Sequence, residues 1–517
     1  MKKLLIFSFY VLIFSVLHAQ SFENKSVKVE DKSLMNNSFP PKNFLVNSDD
    51  DYYYVFYNRS YQKPRWAWDN YLLVMNKDLS SFKKIELKLD KNETYFGVFF
   101  SENHFNLICS KYNSKSKTSD IVRKIYNKQT GIFITTEILA TISTPSKSPV
   151  NLMEIGSRKI LLYGYSAMSP DKTKFAISFL TENKDNKINS VHNIIFNQAG
   201  EVILNKLEAL QISNSEFLVQ DIALSNEAIL ANIYYSIPKD NKSKDQSKYI
   251  DVTFISESIN EHISIKLGEK ESTSTRIKYL KNGNLFFTSL FKEKGSEMPS
   301  KLITAIFDME DIKYQDLIFN EIPKMPAKSP KTSVGLLTIP QERDYSMVIS
   351  DIKEFETGEI SIIAEQTGVY YESRTFGNVK EYYPIFLKGN IVTFFANSDG
   401  EITSNDVFKH CQETSSVEPS FYAFLYNNNL YYIFNDNPSN SDGKDEIKKF
   451  SPDLSSSVNA VIKYRKIFNE NEQKTFYLSN ETGEERYLYG FLFQNENKLL
   501  VSYKEKSIFY FDFISLE

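Results

Sequence analysis

Four acidic residues in the sequence could supply a catalytic pair of carboxyl groups: Glu93, Asp221, Asp351 and Glu365. Hydrolysis of a glycosidic bond uses two such groups about 5–10 Å apart, one as the acid and the other as base or nucleophile. The four residues lie in separate stretches of the chain, so they can act together only if the fold brings different strands to one pocket. A carbohydrate-active enzyme is therefore one hypothesis, and the sequence leaves their convergence open.

A dense aromatic cluster lies near the N-terminal end of the chain. Trp66 and Trp68 are two residues apart, so on a β-strand both side chains would face the same side. Aromatic faces of this kind bind sugar rings or peptide segments. We predict Trp66, Trp68, Tyr61 and Arg65 as ligand-binding residues, against the simpler alternative of a packed or half-exposed strand.

Nucleophilic and metal-binding patterns are weak. His410 and Cys411 are adjacent, and neighbours on a strand point to opposite faces, so they are not expected to share a catalytic role. No pair of histidines has the spacing of metal ligands, and there is no Cys-x-x-Cys. The sequence predicts no metal site and no cofactor.

Two acidic loops could in principle bind calcium, namely residues 49–51 and residues 435–446. If Gly443 is the sixth position of a calcium loop, Pro438 takes the first position and Lys449 the twelfth, where carboxylates are required. We therefore expect both loops to be solvated turns.

The elements that must position these residues are best seen between Arg276 and Ile322. This stretch predicts four short strands in a row: residues 277–280, an Asn-Gly turn at 281–284 typical of a two-residue hairpin, and strands at 285–291, 302–307 and 313–319. Aromatic content of 14%, with 40 Phe and 32 Tyr, also favours strands. The sequence predicts an all-β protein.

Similar units recur along the chain, with starts near residues 44, 95, 150, 217, 277, 348, 421 and 487. Repetition of a four-stranded unit is the signature of a β-propeller, and we predict about seven or eight blades. The last unit has only three strands. A strand at residues 26–29 could supply its fourth and close the ring through the N- and C-terminal strands, which would remove an exposed sheet edge.

Domain organisation follows from the same pattern. Residues 323–341 are rich in Pro, Lys and Ser, so they could be a linker or a long connection between blades. Because the strand pattern is the same on both sides, we predict a single domain over residues 20–517, with a split near residue 330 as the alternative. Cys109 and Cys411 are expected to be separate buried thiols.

The first 19 residues resemble a secretory signal peptide. Lys2 and Lys3 precede an apolar run over residues 4–17, and a cleavage site after Ala19 would leave Gln20 first. Loss of the two lysines takes the formal net charge from −4 to −6, which does not favour nucleic acid as a partner. We expect a periplasmic or extracellular protein, with no membrane insertion after cleavage.

One region carries a resemblance. Between Asp351 and Asn440, the segments GEISIIAEQTGVYY, SDGEI and NNNLYYIFNDNPSN resemble those of uncharacterised secreted β-propeller-like proteins of Gram-negative bacteria. The resemblance covers about a fifth of the chain and rests on turn and strand residues, so it implies architecture and export and no functional residue.

These observations predict an exported, non-enzymatic β-propeller that acts as a binding or scaffold protein. Its partner would be a protein, a peptide or a glycan, bound by long loops on a rigid frame. The alternative is the carbohydrate-active enzyme, with its carboxylates at the central channel.

Overall fold

A computed structural model describes residues 27–29, 42–59, 69–90, 93–143, 152–153, 160–161, 164–182, 188–214, 216–238, 247–293, 295–296, 298–314, 316–328, 344–376, 379–414, 420–436, 461–467, 473–477, 487–495, 498–505 and 508–515. The signal-peptide prediction lies outside these residues. So does the predicted ligand-binding cluster of Tyr61, Arg65, Trp66 and Trp68.

Within the described residues the secondary structure consists of β-strands, without a helix. In the first third of the chain the strands are β1 (Val27–Val29), β2 (Lys42–Ser48), β3 (Tyr52–Arg59), β4 (Asp69–Asn76), β5 (Phe82–Leu87), β6 (Glu93–Phe100), β7 (His104–Asn113), β8 (Thr118–Asn127), β9 (Phe133–Ser143), β10 (Leu152–Met153), β11 (Ile160–Leu161), β12 (Gly164–Met168) and β13 (Phe175–Glu182).

The middle of the chain continues with β14 (Ile188–Phe196), β15 (Val202–Ala209), β16 (Glu216–Leu224), β17 (Leu230–Ile237), β18 (Lys248–Ile255), β19 (Asn260–Gly268), β20 (Glu271–Tyr279), β21 (Leu285–Lys292), β22 (Lys301–Asp308), β23 (Lys313–Tyr314) and β24 (Ile318–Glu321). The last third contains β25 (Ser346–Glu354), β26 (Ile360–Phe376), β27 (Val379–Ala396), β28 (Ile402–Phe408), β29 (Gln412–Thr414), β30 (Phe421–Tyr426), β31 (Asn429–Asp436), β32 (Val461–Ile467), β33 (Gln473–Tyr477), β34 (Tyr487–Asn495), β35 (Lys498–Glu505) and β36 (Ile508–Ser515).

Most strands form four-stranded antiparallel meanders in which each strand pairs with the next. The sheets are β2–β5, β6–β9, β12–β15, β16–β19, β20–β23 with β24 added, β25–β28 with β29 added, β30–β33, and β34–β36 with β1. This repetition is the arrangement of β-propeller blades, and it confirms the predicted fold class.

The N-terminal strand completes the C-terminal sheet. Val27 pairs with Phe511 and Val29 with Phe509, so β1 adds to β36 in antiparallel register. The predicted contribution of residues 26–29 is therefore confirmed, since the sheet gains the strand that the C-terminal repeat lacks. Closure of a whole ring stays a prediction.

Three details of the sequence prediction were wrong. The third sheet begins at Gly164 rather than near residue 150, because β10 and β11 pair only with each other. The outer strands β28 and β33 were not identified, since polar residues obscure their alternation. The Asn-Gly sequence connects β20 and β21 through a longer loop than a two-residue hairpin. The Leu280 N–H donates to the Asn284 carbonyl over 2.8 Å, and the Gly283 N–H, at φ 88°, donates to the Leu280 carbonyl over 3.0 Å.

The chain forms two compact units. The larger comprises Phe39–Val74 and Lys83–Ser420, and the smaller comprises Met1–Ser38, Met75–Phe82 and Phe421–Glu517. Both sides of residue 330 belong to the larger unit, and the single domain stays a prediction.

Apolar side chains of neighbouring sheets form the cores. In the larger unit, Phe254 of β18 and Phe307 of β22 meet with ring centroids 5.7 Å apart inside one buried cluster. In the smaller unit, Ile433 of β31 and Val501 of β35 share another. Burial between sheets fixes the strand register, because a slip of one residue would turn each apolar set to solvent.

Candidate functional site

The first strands of three consecutive sheets lie side by side in the larger unit. β16 contacts β20, and β20 contacts β25. Each of these strands contains a β-bulge, at Gln220, Thr273 and Ser350 respectively, where the register with the second strand shifts by one residue. A bulge leaves one residue out of the ladder and turns the strand locally, so backbone groups of one sheet become available to side chains of the next.

Side chains of β20 bind the backbone of β25. The Ile349 N–H donates to Ser274 Oγ over 3.0 Å, and Arg276 Nε donates to the Ile349 carbonyl over 3.2 Å. Lys278 Nζ donates to the Ile352 carbonyl over 3.0 Å. These bonds hold Arg276 and Lys278, two residues apart on one face of the strand, at the junction between the sheets.

Asp221 of β16 approaches the same junction from the other side. Its Oδ1 accepts from Arg276 Nη1 over 3.1 Å, and its Oδ2 accepts from the Ile277 N–H over 2.9 Å. Burial raises the pKa of the Asp221 carboxyl above its usual value, although the Arg276 charge and the Ile277 N–H act in the opposite direction. Arg276 and the Ile277 N–H therefore stabilise the ionised form of Asp221 against the effect of burial.

Asp351 occupies the same position after its bulge on β25 as Asp221 does on β16. It forms an ion pair with Lys353 at 2.8 Å and accepts the Ile352 N–H over 2.8 Å. Lys278 forms no ion pair within the described residues. Burial, followed by the charge of Lys353, lowers the pKa of the Lys278 ammonium.

These groups surround a cavity of about 300 Å³, which we call the first-strand cavity. Its lining is Asp221, Arg276, Ile277, Lys278, Ser350, Asp351 and Ile352. Two cations, two carboxylates and a hydroxyl thus face one space, an arrangement suited to a small polar ligand.

The structure brings together two of the four carboxylates that the sequence suggested. Asp221 and Asp351 line the first-strand cavity. Glu93 is buried and paired with Lys124 at 2.6 Å, while Glu365 is buried and lies 3.4 Å from Lys388. These two acids neutralise buried lysines within their own sheets and do not line the cavity.

A constellation of Ser264, His262 and Asp251 also resembles a catalytic group. Asp251 Oδ1 lies 3.1 Å from His262 Nε2, and Ser264 Oγ lies 3.3 Å from that same nitrogen. A serine nucleophile needs its base to contact serine and carboxylate through different ring nitrogens. The geometry therefore does not form a proton relay. Asp251, on β18, instead accepts hydrogen bonds from Ser213 in the loop before β16 and from Ser236 on β17. Its role is therefore to connect these three segments.

The remaining candidates from the sequence are either buried or bonded within turns. His410 and Cys411 are buried in the connection between β28 and β29. Cys109 is also buried, and no disulfide joins it to Cys411. Asp49 accepts hydrogen bonds from Tyr52 N–H and Tyr54 Oη, at 2.9 and 2.6 Å, which stabilises the turn before β3. Most of the loop at 435–446 lies outside the described residues.

Over the part of the chain that the structure describes, no group of three or more His, Cys, Asp or Glu side chains could hold a metal ion. No helix in those same residues is long and apolar enough to cross a membrane.

Arg276 and Lys278 were not identified as functional residues from the sequence. Because they are two residues apart, both side chains lie on one face of β20. This spacing could have been recognised in the sequence as a pair of cations on one strand face. The sequence could not show that β16 and β25 flank β20 with carboxylates, because that juxtaposition depends on the packing of three sheets.

No protein-family model matches the chain, and neither does any curated protein. Among solved structures, the chain is similar to the β-propeller domain of the Trilobed protease from Pyrococcus furiosus, with 10% identity over 71% of this chain and 95% of that chain, and a TM-score of 0.32.

Two other similar structures are Sqt1 from Saccharomyces cerevisiae (10% identity, 92% and 98% covered, TM-score 0.35) and an alpha-L-arabinanase from Penicillium chrysogenum (10% identity, 68% and 92% covered, TM-score 0.33). Similarities this distant assign no activity to this chain. The narrower resemblance to secreted proteins of Gram-negative bacteria gains no support from these comparisons.

Proposed function

We propose that the protein is an exported, non-enzymatic binding protein and that the first-strand cavity is its ligand site. The observation that carries the proposal is the cavity itself: charged groups from three sheets converge on one space and are held there by hydrogen bonds to backbone. Positioning of this kind lowers the entropy lost when a ligand is bound, since the side chains are already ordered.

The bonding of the carboxylates favours binding over catalysis. A general acid must carry a proton that it can donate to the reacting group. Burial raises the pKa of Asp221, but both of its oxygens already accept hydrogen bonds from Arg276 and Ile277, so a proton on either oxygen would displace one of these donors. Asp351 is likewise paired with Lys353. Neither carboxyl group is arranged as a proton donor.

The size of the cavity limits the ligand. A volume of about 300 Å³ is at the lower end of the range for small-molecule pockets. It accommodates one sugar-sized unit or a small metabolite, either free or at the end of a longer chain. Export is part of the proposal and is supported by the charged and apolar pattern of residues 2–19.

Thermal unfolding tests this function. The chain starting at Gln20 is heated with monosaccharides, sugar acids and short peptides, each at millimolar concentration. A ligand that binds only the folded state raises the Tm, and we expect at least one class to do so. The variant Ser350→Trp fills the cavity and should lose the shift while keeping the circular dichroism of the parent. The proposal would be refuted if none of the three ligand classes raised the Tm of the parent. It would also be refuted if a ligand raised the Tm of the parent and of Ser350→Trp equally.

The carbohydrate-active enzyme remains the second candidate, because Asp221 and Asp351 line one cavity and burial raises the pKa of Asp221. An enzyme would release reducing ends from an oligosaccharide panel and lose that activity in both Asp221→Asn and Asp351→Asn. The binding proposal predicts no release by the parent protein.

A further inference from the structure

The charged side chains that line the first-strand cavity are not all paired with one another. Asp221 is paired with Arg276 and Asp351 with Lys353, at 3.1 and 2.8 Å. Lys278 lines the same cavity and has no carboxylate within ion-pair distance among the described residues. The Lys278 ammonium is therefore the cation of the lining that lacks a direct ion-pair partner, although the charges of Asp351 and Glu354 act on it from a greater distance.

Lys278 also has unused hydrogen-bond donors. An ammonium group carries three donors, and the structure assigns one of them to the Ile352 carbonyl. Arg276 uses Nε for Ile349 and Nη1 for Asp221, which leaves Nη2 without a partner in the described part of the chain. Arg276 and Lys278 can thus donate together to one anionic group.

Acceptors lie beside these donors. A carboxylate oxygen can accept more than one hydrogen bond, so Asp221 and Asp351 can accept from ligand hydroxyls while keeping their present partners. The Ser350 hydroxyl can donate or accept. A ligand that matches the whole lining therefore carries one negative charge and several hydroxyl groups.

We infer that the first-strand cavity selects a small hydroxylated carboxylate, of the sugar-acid class, and that Lys278 binds its carboxylate group. This inference rests on the proposed function, because it names the ligand class of the same cavity. Burial supports it: Lys278 is partly removed from water, and an ammonium group in that position gains more from a bound anion than an exposed one does.

Isothermal titration of the chain starting at Gln20 with three probes tests the chemistry. D-Glucuronate has the charge and the hydroxyls, D-glucuronamide keeps the hydroxyls without the charge, and acetate has the charge alone. We expect glucuronate to bind at least tenfold more tightly than either of the others. Equal binding of the amide would overturn the role of the charge, and equal binding of acetate would overturn the role of the hydroxyls.

Two lysine variants locate the contact. Lys278→Met keeps the length of the side chain and should weaken glucuronate binding at least tenfold, to the level of the amide. Lys281→Met removes the same charge from an exposed position that does not line the cavity, and it should change the affinity less than twofold.

The outcomes separate the two proposals. Binding of glucuronamide as tight as that of glucuronate, lost in Ser350→Trp, would leave the cavity a ligand site and refute only the sugar-acid inference. Absence of binding by all three probes would refute the sugar-acid inference, and the Tm screen of other ligand classes would then decide the proposed function. An effect of Lys281→Met as large as that of Lys278→Met would refute the role of Lys278.

Discussion

Two buried glutamates of the larger unit, Glu93 and Glu365, are each neutralised by a buried lysine of the same sheet. Glu93 and Lys124 show this most clearly: both are buried, and their charged atoms lie 2.6 Å apart. An ion pair in the interior loses hydration, and removal of one partner leaves the other charge without compensation. Residues that the sequence offered as catalytic can therefore be explained as structural once their partner is known.

We predict that Lys124→Met destabilises the larger unit by about 3–5 kcal/mol, because Glu93 remains buried and uncompensated. Urea denaturation measures the change. The double variant Glu93→Gln/Lys124→Met should lose less than the sum of the two single variants. Lys111→Met removes an exposed pair with Asp90 at 3.9 Å and should cost less than about 0.5 kcal/mol. Equal losses for Lys111→Met and Lys124→Met would contradict this assignment.

The Asp251 carboxyl should make the stability of the folded protein depend on pH. Burial acts to raise the pKa of its carboxyl, but hydrogen bonds from Ser213, Ser236 and Ser264 outweigh burial and lower it. The folded pKa thus lies below the unfolded value of about 3.9. The contribution to stability is present above pH about 4 and is lost as the pH falls through the folded pKa.

In Asp251→Asn we therefore expect a loss of about 2–4 kcal/mol at pH 7, with a smaller difference from the parent below pH 4. Thermal or urea unfolding between pH 3 and pH 7 measures this difference. Asp50→Asn, in an exposed turn, should retain the profile of the parent. A difference between Asp251→Asn and the parent that stays constant over this range would show that the carboxylate is not the stabilising group.

At the level of elements, the first strand of a sheet does two things. It pairs with the second strand along one edge. Beside its bulge, its side chains form hydrogen bonds with the backbone of the neighbouring sheet, as those of β20 do with β25. Asp221 and Asp351 follow equivalent bulges on β16 and β25. The repeat of one local distortion therefore creates the two acidic walls of the cavity on either side of β20.

Turns between strands use backbone conformations that favour glycine. Gly131 has φ 70°, and a Cβ there would overlap the side chain of Ile85, whereas Gly283 has φ 88° and open space around it. We predict that Gly131→Ala costs more stability than Gly283→Ala, because the first adds a clash to backbone strain of about 1 kcal/mol. Urea unfolding of both variants measures this. A larger loss in Gly283→Ala would contradict the assignment.

Much of the element pattern could be predicted from the sequence, because apolar alternation and aromatic runs mark the central strands of each sheet. β21, for example, is a continuous buried run from Leu285 to Phe291. The outer strand β28 was missed, since its residues alternate between exposed and half-buried positions and include polar side chains. For the first-strand cavity, the sequence could suggest Asp221 and Asp351 as candidate acids. The roles of Arg276 and Lys278 could be recognised only once the structure showed which sheets are neighbours.

At the scale of the whole molecule, the two ends of the chain meet in one sheet of the smaller unit. β1 supplies three residues to the edge of β36, and without them that edge would have unpaired N–H and C=O groups. The sheet therefore depends on residues separated by almost the full length of the chain.

We predict that a chain starting at Glu30 unfolds at a Tm lower by about 5 °C or more than a chain starting at Gln20. Both lack the apolar N-terminal segment, and they differ by residues 20–29, which include β1. Differential scanning calorimetry provides the measurement. Identical transitions in the two proteins would show that the pairing of β1 with β36 does not contribute to stability.

The most direct test of the binding site is the chemical reactivity of two lysines. The protein is acetylated briefly with and without saturating D-glucuronate, and mass spectrometry gives the extent of labelling at Lys278 and Lys281. We predict that glucuronate slows labelling of Lys278 at least tenfold and leaves Lys281 unchanged. Unchanged labelling of Lys278 while glucuronate is bound would place the ligand elsewhere and contradict the assignment of the first-strand cavity.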